Sequence, residues 1–225
     1  MKKYFQGFLF LVACAMANTA WAATDEFVED IHYEQLDNPQ PTGDPGKVEV
    51  LEAFWYGCPH CYDLEGDVNH WLKNKPEDVS FIRFPAIPTP RWEWYATVFY
   101  TAQVLGVADK IHSPLFEAIH EKKKRLSTPE EMASFFEQYG VKKEDFHATL
   151  KSFAVVTRIN QARQLTRRFG LSSVPAVIIN GKYRTTARLA GGNKQMLDVV
   201  DFSPANSSSN NSLDSGRIVA ESKLK

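Results

Sequence analysis

The sequence predicts an α/β fold in which a long helical segment separates two groups of β-strands. Apolar stretches at 48–55 and 79–84 have the composition of buried strands, and a helical pattern lies between them. From 91 to 169 the pattern is almost entirely helical. A further β-branched, apolar strand at 176–179 then returns the chain to the sheet.

The first 22 residues have the features of an export signal. Two lysines precede an uncharged apolar run at 8–17, and small residues flank Trp21. We therefore expect cleavage between Ala22 and Ala23 and release into the periplasm. The run is too short to cross a bilayer as a helix.

A second interpretation of the leader makes the protein a lipoprotein. Residues 11–14 resemble the site at which bacterial lipoproteins are cleaved and acylated on cysteine. In that case Cys14 would anchor the chain to the membrane. Cleavage there would leave an unusually short leader, so we favour the site after Ala22.

The charge balance does not favour nucleic acid as a partner. Twenty-six Lys and Arg residues against 27 Asp and Glu residues give a net charge of −1. Nucleic-acid-binding domains usually carry a clear basic excess. We expect a monomer of sufficient length to bury a core without cross-links.

The helix after the first strand carries two cysteines one turn apart. Cys61 and Leu64 share the apolar face of the predicted helix, which places Cys61 against the core and Cys58 at the open N-terminal tip. His60 is turned by about 100° from Cys61 and should face solvent or substrate. Pro59 suits the first turn of a helix.

The helical segment contains its own boundary residues. Pro114 is expected in the first turn of a helix, and residues 128–131 form a capping box with proline at the first helical position. Gly140 and Gly170 are placed as helix ends.

The C-terminal part returns to strands and closes with a helix. Asn180-Gly181 is typical of a type I′ hairpin between strands at 176–179 and 182–186, and a helix follows at 193–202. A helical insertion within a thioredoxin-like fold explains this order of elements. The predicted organisation is a signal peptide at 1–22, a thioredoxin-like domain in two parts at 28–88 and 167–202, an inserted helical domain at 89–166, and a disordered tail at 203–225.

The cysteine pair predicts disulfide exchange. The helix N-terminus and the adjacent His60 should stabilise Cys58 as a thiolate, which makes it the reactive sulfur. A stable thiolate stabilises the reduced protein, so the disulfide form becomes a stronger oxidant and is expected to donate its disulfide. Cys61, on the buried face, is the predicted resolving thiol.

Two other interpretations of the pair are an inert local disulfide and a zinc site. A disulfide across so short a loop removes little entropy from the unfolded chain. A structural zinc site usually needs a second pair of ligands, and no cysteine follows Cys61. We therefore expect no metal and no cofactor other than the redox-active Cys58–Cys61 disulfide.

Two further positions are candidates for the site. Val174-Pro175 precedes a strand and follows a helix end, and we expect a cis peptide bond that brings the backbone of Val174 near the sulfurs to bind an extended substrate. Glu52 is either the polar edge of its strand or a buried carboxylate that moves protons for Cys61; we favour the second.

Over about residues 28–202 the sequence resembles the DsbA family of bacterial periplasmic thiol:disulfide oxidoreductases. The resemblance rests on four segments in order, which together are specific. They are 50–54 leading into 58–62, 105–110 with 114–116, 174–176, and 180–183.

The resemblance implies a thioredoxin fold with an inserted helical domain and the same site residues. These are a reactive Cys58, a resolving Cys61, a cis-Pro175 and a proton-handling Glu52. It also implies that reduced, unfolded exported proteins are substrates and that a DsbB-like, quinone-linked membrane oxidase restores the disulfide. A disulfide reductase or isomerase, and a peptide-binding chaperone with incidental cysteines, remain the alternatives.

Overall fold

The computed structural model describes residues 27–202, in which a five-stranded sheet combines with eight α-helices. The strands are β1 (Glu34–Gln35), β2 (Val48–Phe54), β3 (Val79–Pro85), β4 (Ala176–Ile179) and β5 (Tyr183–Thr185). The helices are α1 (Pro59–Leu72), α2 (Glu93–Val104), α3 (Ala108–His120), α4 (Pro129–Glu137), α5 (Lys143–Leu150), α6 (Phe153–Arg168), α7 (Ala187–Ala190) and α8 (Asn193–Phe202). The predicted export signal, Cys14 and the predicted tail at 203–225 lie outside the described residues.

The strand order in the sheet is β1-β5-β4-β2-β3. Strands β2 and β3 are parallel and joined through α1, whereas the other neighbouring pairs are antiparallel. Helices α2 to α6 lie between β3 and β4 in the chain. This order confirms the predicted α/β fold with a helical insertion, although the exact domain limits stay a prediction.

Strand β1 was not predicted from the sequence. It adds to the edge of the sheet by pairing antiparallel with β5, where Glu34 lies opposite Arg184. The Leu36 N–H donates to the Lys182 carbonyl at 2.8 Å and extends the contact. A strand of two residues is too short to show an alternating pattern, so only the tertiary pairing defines it.

The prediction that Pro114 opens a helix is wrong. Helix α3 begins at Ala108, six residues earlier, and continues through Pro114. Proline removes one backbone hydrogen bond inside the helix. The buried side chains of Ile111 and Leu115, on either side of it, pack in one apolar cluster and offset that loss.

Alternation along β2 places Glu52 on the face of the sheet that α1 covers. Val50 packs with Leu64 of α1, whereas Leu51 and Ala53 belong to a cluster on the opposite face. Side chains two residues apart in a strand share a face. Glu52 therefore lies on the same side as Val50 and under the helix that carries both cysteines.

Thr166 joins the helical insertion to the segment that follows β3. Its side chain is buried, and its hydroxyl donates to the Ala162 carbonyl at 2.7 Å. The same oxygen accepts from the Ile87 N–H at 2.9 Å. A buried backbone donor without this partner would lose a hydrogen bond that water cannot replace.

We expect Thr166→Val to lower the free energy of unfolding by about 1–3 kcal/mol, because the Ile87 N–H loses its acceptor. Urea unfolding of the purified protein measures the change. Thr101→Val is the matched control, because the buried Thr101 hydroxyl makes a similar bond to the Thr97 carbonyl within one helix. Equal losses in the two variants would contradict the proposed link between the insertion and the sheet.

Candidate active site

The two cysteines lie at the N-terminus of α1, where the strand β2 ends and the helix begins. Cys58 is the N-cap residue, and its sulfur accepts a hydrogen bond from the Cys61 N–H at 3.3 Å. The Cys58 N–H donates to the Trp55 carbonyl at 2.9 Å and fixes the approach to the helix. Pro59 occupies the first helical position, where its missing N–H removes no helix bond. Both cysteines are free thiols in this structure.

The two thiols differ in proton affinity. Hydrogen bonding from the Cys61 side chain is the largest cause that lowers the pKa of Cys58 to about 6, and backbone N–H groups and the charge of His60 add to it against the effect of burial. Burial raises the pKa of Cys61 well above its usual range, and the neighbouring Cys58 reinforces the shift. Cys58 is therefore the thiolate of the reduced pair near neutral pH, and Cys61 is the protonated thiol.

The loop before β4 covers Cys58 more than the sequence predicts. The sequence predicts that Cys58 lies at the open tip of the helix, but the residue is only 8% exposed. Its sulfur lies 3.4 Å from the Val174 carbonyl oxygen, and the Val174–Pro175 peptide bond is cis. A cleft of about 540 Å³ begins beside this contact, and its lining includes His60, Val174 and Arg188.

His60 lies between the two cysteines and is exposed. Its side chain is 78% exposed, and its Nδ1 lies 3.7 Å from an Asp63 carboxylate oxygen. The imidazole is thus open to solvent and to a substrate in the adjoining cleft. Its contribution to Cys58 comes through its backbone N–H and its charge.

Glu52 is buried beneath the cysteines and is not at a polar edge of the strand. Only 2% of the residue is exposed, and one carboxylate oxygen accepts from Arg83 Nε at 2.8 Å. Burial raises the pKa of Glu52, and the nearby Arg83 guanidinium counteracts only part of that effect. A buried carboxyl group whose pKa is raised in this way is suited to exchange a proton with a neighbouring group.

A set of buried polar side chains around Glu52 was not predicted from the sequence. Arg83 Nη2 donates to Glu65 Oε2 at 3.1 Å, and His112 Nδ1 lies 2.8 Å from the Tyr56 hydroxyl. Two patterns could have indicated part of it. Glu65 follows Cys61 by one helical turn and shares its buried face, and Arg83 interrupts an apolar strand.

Within residues 27–202, no group of three or more His, Cys, Asp or Glu side chains is arranged to hold a metal ion. In the same part of the chain, every helix is too short or too polar to span a bilayer.

The chain is similar to known thiol:disulfide interchange proteins. Residues 77–201 match a family described as the DSBA-like thioredoxin domain. The thiol:disulfide interchange protein DsbA of Pseudomonas aeruginosa is 40% identical over 181 residues, which cover 80% of this chain and 86% of that protein. DsbA of Azotobacter vinelandii is 42% identical over 170 residues, which cover 76% and 79%.

The fold agrees with this sequence similarity. The crystal structure of Pseudomonas aeruginosa DsbA superposes with a TM-score of 0.74 at 40% identity and covers 79% of this chain and 93% of that chain. The similarity therefore includes the helical insertion as well as the sheet.

We expect the thiolate absorbance of the reduced protein to titrate with a midpoint near pH 6, the value to which the pKa of Cys58 is lowered. Cys61→Ala should raise this midpoint more than His60→Ala does, because the Cys61 side chain is the largest stabilising cause. His70→Ala is the control at the far end of α1 and should leave the midpoint unchanged. A larger shift in His60→Ala than in Cys61→Ala would contradict this order of causes.

Proposed function

The chain belongs to the DsbA family of thiol:disulfide interchange proteins, and from that premise we propose that it donates a Cys58–Cys61 disulfide to reduced, newly exported proteins. It is a protein disulfide oxidoreductase of the thioredoxin fold. The observation that carries the proposed direction is the difference between its two thiols, one of lowered and one of raised pKa.

In the proposed reaction, a substrate thiolate attacks the Cys58 sulfur of the oxidised pair. A mixed disulfide forms between substrate and Cys58, the Cys58–Cys61 bond breaks, and Cys61 leaves with the electron pair and gains a proton. A second substrate thiolate then attacks the substrate sulfur of the mixed disulfide. Cys58 leaves as a thiolate, so that two electrons have passed from two substrate thiols to the enzyme pair.

The low pKa of Cys58 favours this direction because it stabilises the products of the reaction. A thiolate that is stable near neutral pH is a good leaving group and stabilises the reduced enzyme. The pKa in the folded, reduced form is depressed, so this stabilisation is complete above the ordinary cysteine pKa. It is lost as the pH falls through about 6.

The covering loop supports a role for Val174 and Pro175 in substrate binding. The Val174 backbone lies against the Cys58 sulfur, beside an open cleft. We propose that an extended substrate segment pairs with this backbone, so that the substrate cysteine approaches Cys58. Binding through main-chain groups would accept many sequences, which suits an enzyme that acts on unfolded chains.

Glu52 is proposed to supply the proton that Cys61 gains and to take it back when Cys61 attacks. Its carboxyl group is buried on the side of the sheet that faces α1, and its charge contributes to the raised pKa of Cys61. This raised affinity lets a carboxyl group hold a proton at a pH where exposed glutamates are ionised.

The reduced enzyme must pass its two electrons to an oxidant to act again. We propose a DsbB-like, quinone-linked membrane oxidase, in the periplasm, as that partner. The predicted cleavage after Ala22 would release the enzyme there, whereas lipidation of Cys14 would anchor it. The mass of the mature N-terminus distinguishes the two forms.

The oxidised protein is expected to oxidise a reduced, unfolded test protein, and Cys58→Ser should abolish this activity. Mixed with oxidised glutathione, Cys61→Ser should accumulate a Cys58–glutathione mixed disulfide: the Cys58 thiolate attacks one sulfur, glutathione thiolate leaves, and the thiol that would resolve the product is missing. Mass spectrometry of non-reduced samples identifies the linked residue. Wild-type oxidation by Cys58→Ser would overturn the oxidase assignment and favour the chaperone alternative, and a reduction potential near that of cytosolic reductants would favour the reductase alternative.

Glu52→Gln should slow the attack of Cys61 on a Cys58–glutathione mixed disulfide by about 10²-fold, because the amide cannot accept the Cys61 proton. Rapid-mixing measurement of glutathione release gives this rate. Glu49→Gln is the control on the same strand, since Glu49 is also largely buried and bonds to the Gly43 N–H. Equal rates for the two variants would remove Glu52 from the proposed proton transfer.

A further inference from the structure

Behind the cysteines, five buried or nearly buried polar side chains meet from four different elements and one loop. They are Glu52 of β2, Glu65 of α1, Arg83 of β3, His112 of α3 and Tyr56 of the loop between β2 and α1. Contacts run from Tyr56 to His112, from His112 to Glu65, and then through Arg83 to Glu52. Of these five groups, the proposed function uses only Glu52.

Arg83 is shared between the two carboxylates. Its Nε donates to Glu52 Oε2 at 2.8 Å, and its Nη2 donates to Glu65 Oε2 at 3.1 Å. One cation next to two buried carboxyl groups leaves one negative charge uncompensated if both are ionised. Two such groups repel, so a proton bound by one lowers the proton affinity of the other. Some feature of the cluster must therefore select which carboxyl group carries the proton.

The surroundings of Glu65 favour its ionised form. Its Oε1 accepts from the Ser113 hydroxyl at 2.8 Å and from Asn69 Nδ2 at 2.9 Å. Its Oε2 faces Arg83 and lies 3.4 Å from His112 Nε2. Glu52, by contrast, has Arg83 as its hydrogen-bond donor, and faces Val177 across the sheet.

The orientation of His112 places its Nε2 beside Glu65 at 3.4 Å, a polar contact that lacks the geometry of a regular hydrogen bond. The buried Tyr56 hydroxyl needs an acceptor for its hydrogen, and His112 Nδ1 lies 2.8 Å away. A neutral imidazole that accepts at Nδ1 carries its hydrogen on Nε2, the nitrogen that faces Glu65. The rings of Phe54, Phe99 and Phe116 pack edge-on around the imidazole and hold it in place.

We propose that His112 is a positioning residue that keeps Glu65 as the permanent anion beside Arg83, and so leaves Glu52 as the carboxyl group that gains and loses a proton. The inference rests on the proposed role of Glu52 for its catalytic meaning. Which of the two carboxyl groups carries the proton is a property of the folded protein, and it does not depend on disulfide exchange by the cysteines.

The charge environment of the two carboxyl groups agrees with this selection. Burial raises the pKa of Glu65, but His112, Arg83 and Ser113 together outweigh burial and lower it. Burial raises the pKa of Glu52 above its usual range, Arg83 and His112 counteract this, and the charge of Glu65 adds to it. Without His112, the proton affinity of Glu65 should rise. A proton on Glu65 removes the negative charge that raises the pKa of Glu52, and this effect on Glu52 is larger than the opposing effect of losing His112.

His120 provides a matched control on the same helix. Its Nε2 lies 2.7 Å from the Tyr56 carbonyl oxygen, and its ring stacks on Tyr62 at 5.3 Å. It therefore holds the same loop residue as His112. Its ring contacts the loop, α1 and Phe116 of its own helix, and neither carboxyl group of the cluster. A general effect of loosening Tyr56 should appear in both histidine variants, whereas selection between Glu52 and Glu65 should change in one.

The test is a carboxyl-carbon NMR titration of the oxidised exported protein, in which the Cys58–Cys61 disulfide removes both thiols from the titration. The resonances are assigned from their loss in Glu52→Gln and Glu65→Gln. In His112→Leu we expect the midpoint of Glu65 to rise and that of Glu52 to fall, each by about one pH unit. His112→Gln retains an N–H donor and should restore part of the difference, and His120→Leu should change neither midpoint.

A double variant keeps the test interpretable if His112→Leu folds poorly. Tyr56→Phe/His112→Leu replaces both partners of the buried hydrogen bond by apolar groups of similar shape, which is much less disruptive than leaving the hydroxyl unpaired. It should show the same exchange of midpoints. Unchanged Glu52 and Glu65 midpoints in a folded His112 variant would overturn the proposal. If Glu52→Gln left exchange rates unaltered, that result would remove the catalytic role of Glu52 and leave the measured selection intact.

Discussion

The candidate active site depends on one sulfur atom at the beginning of a helix. Cys58 caps α1, and its sulfur receives the Cys61 N–H at 3.3 Å while the buried Cys61 side chain approaches it from one turn later. The same turn therefore stabilises negative charge on the Cys58 sulfur and disfavours it on the Cys61 sulfur. The strand before the turn, the loop that covers it and the polar cluster below it all surround these two thiols of unequal pKa.

The elements around β2 determine how a charged residue can be accommodated in it, because β2 is buried on both faces. A central strand with this environment would normally be apolar, and Glu52 is tolerated because its parallel partner β3 places Arg83 directly opposite it. Arg83 is in turn held by Glu65, a residue of the same helix that carries both cysteines. Arg83 thus links a charged group of the sheet to the helix that carries both cysteines.

Much of the site could be predicted from local patterns. Helical periodicity distinguishes the buried Cys61 from the terminal Cys58, and an acidic residue in an apolar strand identifies Glu52. The surroundings of Glu52 could not be predicted in the same way, because its pairing with Arg83 depends on strand register and the contact between Glu65 and His112 depends on the packing of α3. Pro114 was misassigned for a related reason: its local preference for a helix start is outweighed by apolar side chains that pack on both sides of it. The cover over Cys58 likewise arises from a loop more than 100 residues away in the chain.

The contacts of Tyr56 restrict how far the helical insertion and the thioredoxin-like part can change independently of each other within the family. Helix α3 holds this one residue at both ends, with His112 at its hydroxyl and His120 at its carbonyl, and the two histidines lie eight residues apart. Along a helix that separation is about 12 Å. The insertion therefore contacts the loop that leads into the cysteines at two points rather than one. Transplanting a helical insertion between relatives would misalign the cysteine loop unless both contacts, and the number of residues between them, moved together.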